Sequence, residues 1–239
     1  MVTAATDLIR NLKALNVNTR LGKEVDKGFV KEMEPDVVIL ATGAEPLLPH
    51  IPGIESESVV TAWDVLSGKA HVGDRVVIVG GNAVGLETAL YLADLGTLPP
   101  EVLHFLVANR AESWETLERL VNSGNKHVTV VEMMKRPGQD IGSSTRWTLM
   151  MELRRLGVTV LTGTKAVAIR REGVEVEKGE RRDLLPADSV VIAAGAAPVN
   201  VLAEEMGDLV PKICTIGDAK TPRNALEAIR EGFLAGLRI

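Results

Sequence analysis

The chain of 239 residues carries 46% hydrophobic and 25% charged side chains with a formal net charge of −5, the balance of a globular protein large enough for one or two cores. That charge, with no long basic run, excludes a nucleic-acid surface, and no apolar stretch approaches the ~20 residues of a membrane-spanning helix. One cysteine, Cys214, leaves no internal disulfide, CxxC pair or cysteine-held cluster, and with no signal-like opening segment the expected location is cytoplasmic.

Residues 6–15 place Leu8, Leu12 and Leu15 at helical spacing. Residues 17–21 read as a short strand and 26–33 as a short helix. Residues 36–41 form an aliphatic run expected to be a buried strand, stopped at Gly43. Pro46, Pro49 and Pro52 follow in 44–53, which reads as a linker without regular structure.

The run 75–87 is the most informative. Four β-branched residues lead into Gly80 and Gly81, Gly85 follows after Asn82, Ala83 and Val84, and a helical pattern continues to 95. A dinucleotide-binding crossover needs that order: a strand delivers a tight turn, the backbone approaches a pyrophosphate, and the next helix points its positive end at it. Two features depart from the usual pattern. Asn82 stands where a second glycine is expected, and it either adopts left-handed backbone or turns a side chain toward the phosphates. The next strand, 128–132, ends in Glu132, much farther on than the ~20 residues usual after such a turn. Its carboxylate would accept hydrogen bonds from an adenosine ribose and repel a 2′-phosphate, favouring NADH over NADPH. Lys135 and Arg136 could reverse that preference.

The intervening 97–126 reads as two helices, 100–108 and 111–122, the second with Trp114, Leu117, Leu120 and Val121 on one face. They would pack on their own domain or dock against another domain or subunit. Further on come a helix over 143–156, capped by Ser143 or Ser144, a strand at 158–161, and an antiparallel ribbon from 166–170 and 173–177. A buried strand at 189–193 stops at Gly195. The tail holds an apolar strand containing Cys214, the turn Gly217-Asp218, and a helix over 224–237. The pattern of strand, Ala-x-Gly and Pro occurs twice, at 40–46 and 193–198. It suggests two related α/β folds, one inserted in the other. A Rossmann-like three-layer domain over 60–205, with its helical insertion, would interrupt an incomplete one made of 1–59 and 206–239. No glycine fingerprint precedes Leu40.

Taken in order, 35–44, 51–54, 60–66, 75–89, 215–219 and 228–232 resemble the C-terminal half of the 2-enoate reductase and 2,4-dienoyl-CoA reductase group, within the pyridine-nucleotide flavoproteins. The resemblance implies that the outer fold binds FAD and the inserted one NADH. An upstream barrel with FMN and an iron–sulfur cluster would then reduce an activated carbon–carbon double bond. It places Gly80, Gly81, Asn82, Ala83, Val84, Gly85, Glu87, Glu132 and Gly195 at the NADH, with Glu87 approaching the nicotinamide. Ala41, Thr42, Gly43, Gly217, Asp218, Asn224 and Ala225 would lie at the FAD, Asp218 bonding the ribityl chain. The family's outer fold opens with its own glycine-turn unit, which this sequence lacks, so the chain reads as a fragment whose FAD domain is a remnant. Its partners would be the dinucleotide and the missing barrel or a partner subunit, and a homo-oligomer is allowed.

No residue reads as a catalytic acid, base or nucleophile. His50, His71, His104 and His127 are scattered without metal-ligand spacing. In this class the protein mainly positions a nicotinamide against a flavin. Two rivals remain open: an electron-transfer subunit of the ferredoxin-reductase or glutamate-synthase type, and a non-catalytic nucleotide-binding module whose site Asn82 has degraded.

Overall fold

The computed structural model describes residues 2–207 and 209–239. In chain order the elements are α1 (Val2–Ala14), α2 (Lys27–Met33), β1 (Val37–Leu40), β2 (Ala44–Pro46), β3 (Val59–Thr61), α3 (Ala62–Leu66), β4 (Arg75–Val79) and α4 (Ala83–Asp94). There follow α5 (Pro100–Ala108), α6 (Trp114–Asn122), β5 (His127–Glu132), α7 (Ser143–Arg155), β6 (Thr159–Thr162), β7 (Lys165–Arg170), β8 (Gly173–Lys178) and β9 (Arg181–Pro186). Last come β10 (Ser189–Ile192), β11 (Ala196–Pro198), α8 (Val201–Glu205), β12 (Lys212–Thr215), a 3₁₀ turn at Gly217–Ala219, and α9 (Ala225–Gly236).

Two compact units divide the chain, one from Ala44–Pro198 and the other from Met1–Gly43 with Val199–Ile239. The sequence boundaries at 59/60 and 205/206 therefore shift earlier. The reason is backbone pairing: β2 and β11 bond to each other, Ala44 opposite Pro198, and β3 joins the inner sheet beside β10. Pro46 is tolerated because it ends a three-residue strand in a two-stranded ribbon, where its missing N–H costs little. The expectation of no regular structure in 44–53 fails at that strand.

The inner unit has three layers. A parallel sheet runs in the order β3-β10-β4-β5-β6. Alternation along β4 sends Val76 and Ile78 into a core with Leu86, Ala89 and Leu92 of α4 and Leu149 and Leu153 of α7. Val77 and Val79 point the other way, into a second core with Ala166, Ile169, Val174 and Val176 of the antiparallel sheet β7-β8-β9. Buried on both faces, the central strands read as continuous aliphatic runs. The third ribbon strand, β9, escaped the sequence reading because its burial is low throughout.

In the outer unit, β1 and β12 pair in parallel, Leu40 opposite Thr215. Val30, Leu40, Met206 and Val210 form a small core there. The expected strand at 17–21 is absent: Asn16 takes φ 54° just after α1, and among the described residues no strand precedes Val37. Leu8, Leu12 and Leu15 lie exposed, so the periodic face of α1 is not core. On α9, Leu226, Ile229 and Phe233, and Leu237 just after it, are each about two-thirds exposed or more. Cys214 is half-buried, not the fully buried residue its apolar setting suggested.

Two local starts also differ from the sequence reading. Helix α7 begins behind Gly142, with no side-chain cap, so Ser143 and Ser144 are first-turn residues. Helix α6 begins at Trp114, capped by the Ser113 hydroxyl accepting from the Thr116 N–H at 3.2 Å. Of its predicted face only Leu117 is buried, while Trp114 is 74% exposed.

Candidate functional site

At the C-terminal end of β4 the chain turns through Gly80 and Gly81 into α4. β5 and β6 lie to one side of β4 and β10 to the other, and open parallel sheets form a ligand crevice where strand order reverses in this way. Gly80 has φ 115°, and a Cβ there would lie 2.2 Å from the Ala193 carbonyl oxygen. A Cβ on Gly85 would lie 2.0 Å from the Gly80 carbonyl oxygen, and one on Gly81 2.9 Å from the Glu132 Cβ. Bare backbone is thus required for the turn, for the close start of α4 and for the approach of β5.

Asn82 is not left-handed. It takes φ −76° and ψ −176° as the N-cap of α4. Its Oδ1 accepts the Gly85 N–H at 2.9 Å, and its Nδ2 donates to the Ala193 carbonyl at 2.7 Å. The amide is spent on holding α4 to the end of β10, as N-cap chemistry predicts. The side chain thus has a structural partner at both ends of its amide, turned to Gly85 and Ala193.

Glu132 is 8% exposed. Its Oε2 accepts the Gly81 N–H at 2.6 Å and its Oε1 the Met134 N–H at 2.6 Å. Each oxygen keeps a further lone pair, so these bonds anchor the carboxylate at the crevice without exhausting it. A cavity of about 320 Å³ opens above the strand ends, lined by Gly80, Asn82, Glu132, Met134, Lys165 and Ala194 among others. Lys165 went unnoticed in the sequence, since a lone lysine opening a strand carries no motif. Lys135 and Arg136 are exposed loop residues.

Ala83 opens α4, and its N–H donates to both Asp140 carboxylate oxygens at 3.0 Å. Nothing in the sequence spacing flagged Asp140. Val84 lines a second hollow, broader and open, of about 1070 Å³ with Glu45, Leu48, Thr61, Trp63 and Asp64. The smaller cavity lies over the ends of β4, β5 and β10, and the broader one reaches the end of β3 at Thr61. Glu87 is exposed on α4. Gly195, with φ 110°, lies exposed beyond β10, and its carbonyl accepts the Leu47 N–H at 3.1 Å.

In the outer unit, parallel pairing of β1 with β12 brings residues 41–43 and 216–218 to one sheet edge, where the Ile216 N–H donates to the Leu40 carbonyl at 2.9 Å. Ala41 is exposed, the Thr42 hydroxyl donates to the Val199 carbonyl, and the Gly43 carbonyl accepts the Val199 N–H at 3.0 Å. Gly217 donates its N–H to Glu231 at 2.7 Å, and Asp218 accepts the Arg223 N–H at 3.1 Å. Asn224 caps α9 by accepting from the Glu227 N–H at 3.0 Å, and Ala225 is that helix's first residue. The Arg223 guanidinium, bonded to Glu231, holds that carboxyl below its ordinary range, helped by the Gly217 N–H. Among the described residues no cluster of three or more His, Cys, Asp or Glu could hold a metal, and no helix is long and apolar enough to cross a membrane.

The family model for pyridine nucleotide-disulphide oxidoreductases matches residues 5–232. A metal reductase of Desulforamulus reducens is 44% identical over 92% of this chain and 33% of its own length. An NADH oxidase of Thermoanaerobacter brockii is 33% identical over 95% of this chain and 32% of its own. Among solved structures, a 2-naphthoyl-CoA reductase in complex with 2-naphthoyl-CoA superposes with TM-score 0.75 at 28% identity, covering 95% of this chain and 30% of the other. The chain thus spans about a third of the length of the relatives it matches.

Proposed function

The chain belongs to the pyridine nucleotide-disulphide oxidoreductase family, and from that premise we propose that its inner unit binds NADH and passes reducing equivalents to FAD in a longer flavin-dependent reductase. The glycine turn at the head of α4 carries this reading. Three positions admit no Cβ, α4 presents its positive end, and Glu132 is held at the mouth of a cavity over the strand ends. These features fit a dinucleotide: bare backbone for the pyrophosphate, and a fixed carboxylate for the ribose hydroxyls. Bound NADH would supply a hydride. The residues on this chain bind and orient it, Gly80 to Gly85 at the phosphates, Glu132 at the adenosine end, and Glu87 and Gly195 toward the nicotinamide. Gly217, Asp218 and the start of α9 would serve the flavin, with Ala41, Thr42 and Gly43 beside them.

For the final acceptor we infer an activated carbon–carbon double bond in an enoate or acyl-CoA. Support comes from the motif order in the sequence and from the similarity to a protein whose name specifies an aromatic acyl-CoA. An FMN and an iron–sulfur cluster would belong to sequence outside this chain.

Titration of NADH and NADPH into the purified chain tests the cofactor assignment. NADH should bind more tightly, and Glu132→Ala should narrow the difference. Equal affinities in the unmutated chain would remove Glu132 as the selector and turn attention to Lys135, Arg136 and the cavity-lining Lys165.

A further inference from the structure

The loop between β5 and α7 does more than connect them. The Gly138 N–H donates to the Gly81 carbonyl at 2.7 Å, while Glu132, at the start of the loop, accepts the Gly81 N–H at 2.6 Å. Both backbone groups of Gly81 are thereby tied to the segment. Gly138 is buried against Ile141 and Leu86, so the loop is seated and not merely passing by. Two residues beyond Gly138, Asp140 lays its carboxylate on the Ala83 N–H, with both oxygens at 3.0 Å. That N–H is the first donor of α4, directly after the glycine turn.

An exposed carboxylate on the positive end of a helix offers a negative charge and two acceptor oxygens where a phosphate group would place its own. We propose that Asp140 is a built-in competitor for the pyrophosphate: it occupies the Ala83 N–H until a nucleoside diphosphate or dinucleotide displaces it, and it thereby sets the affinity of the site. The inference rests on reading the glycine turn as a dinucleotide site. Two negative groups cannot share one N–H at hydrogen-bond distance without strong repulsion, so binding requires Asp140 to swing out. It is exposed and one residue before Ile141, so its side chain can leave while Gly138 keeps the loop in place.

The test compares the parent chain with Asp140→Asn, which keeps an acceptor for the Ala83 N–H but removes the charge. The probes are NADH, ADP and adenosine, followed by calorimetry and by the amide signal of Ala83. Asp140→Asn should tighten both phosphate-bearing probes by about fivefold, the size of one charge at a helix end, and leave adenosine unchanged. Addition of ADP to the parent should shift the Ala83 amide. Equal ADP affinity in the two forms would overturn the competition while leaving the dinucleotide site standing. Failure of both forms to bind NADH or ADP would overturn the site reading and the proposal together. Weaker ADP binding by Asp140→Asn would also overturn it, because Asp140 would then be helping to build the site as a plain cap.

Discussion

A single amide side chain decides how the glycine turn is read. Asn82 looks in the sequence like an intruder at a glycine position, but its amide faces Gly85 and Ala193. Replacing it with alanine removes a helix cap and leaves the Ala193 carbonyl without that donor. The expected cost is about 1–2 kcal/mol of stability, measured by denaturant unfolding, with no gain in NADH affinity. A tighter complex would revive the idea that Asn82 obstructs the phosphates. The direction of this side chain was not legible locally, since its partner Ala193 follows β10, the strand beside β4 but distant in the chain. Glu132 illustrates the same limit. Its position at a strand end is plain from the apolar run before it, whereas its bonds to Gly81 and Met134 depend on how the following loop folds back. Asp140 had no readable pattern at all, because a lone acid after a proline and a glycine looks like any solvated loop.

At the level of elements, the aliphatic strands of the inner sheet were readable because burial on both sheet faces leaves little else permitted there, whereas β1, expected to be buried, buries only Leu40 because its two-stranded sheet leaves Ile39 exposed. Short pairings were not. β2 contains a proline and exists only because β11, contributed from far along the chain, meets it. The late arrival of Glu132 is explained by α5 and α6, which stand between α4 and β5 and displace the acid in sequence without disturbing the β4–β5 register. The opposite end of the sheet from the crevice is fastened by charge. Arg75 opens β4, and its Nη2 lies 2.5 Å from Oδ1 of Asp188, the residue before β10. The Asp188 side chain also accepts the Arg75 backbone N–H at 2.8 Å. The Arg75 guanidinium, chiefly by hydrogen bonding, lowers the Asp188 carboxyl from 3.8 to about 2. A carboxyl whose folded value is depressed contributes stability above its unfolded pKa and loses that contribution as pH falls through the folded one. The melting temperature should therefore acquire an extra decline between pH 3.8 and about 2. Asp188→Asn should be less stable at neutral pH and show a shallower slope in that window. An unchanged slope would mean that the pair adds nothing to folding.

For the whole molecule, the two units contrast in how completely they bury what they expose. The inner one has two cores enclosing its sheet, whereas the outer one, among the described residues, has a two-stranded sheet and a small core. Its α9 shows an apolar stripe, and the residues given before β1 carry no GxGxxG pattern. The purified chain should accordingly be colourless and reduce no dye with NADH. A yellow preparation with stoichiometric FAD would show that the turn around Asp218 suffices for flavin. The pairing of Ala44 with Pro198 also has a bearing on how the chain acquires its structure. Partners β1 and β12 are separated by the entire inner unit, and closing so large a loop directly carries an entropic cost that grows with its length. Once the inner unit has formed, β2 and β11 hold its two ends side by side, so the loop left to close shrinks to the short link 41–43 on one side and 199–211, with α8, on the other. During synthesis the inner segment is complete before Lys212 emerges, and β1 waits unpaired until then. Nesting one fold in the middle of another thus imposes an order of assembly, inside first and outside last, with the ribbon as the clasp that makes the second step local.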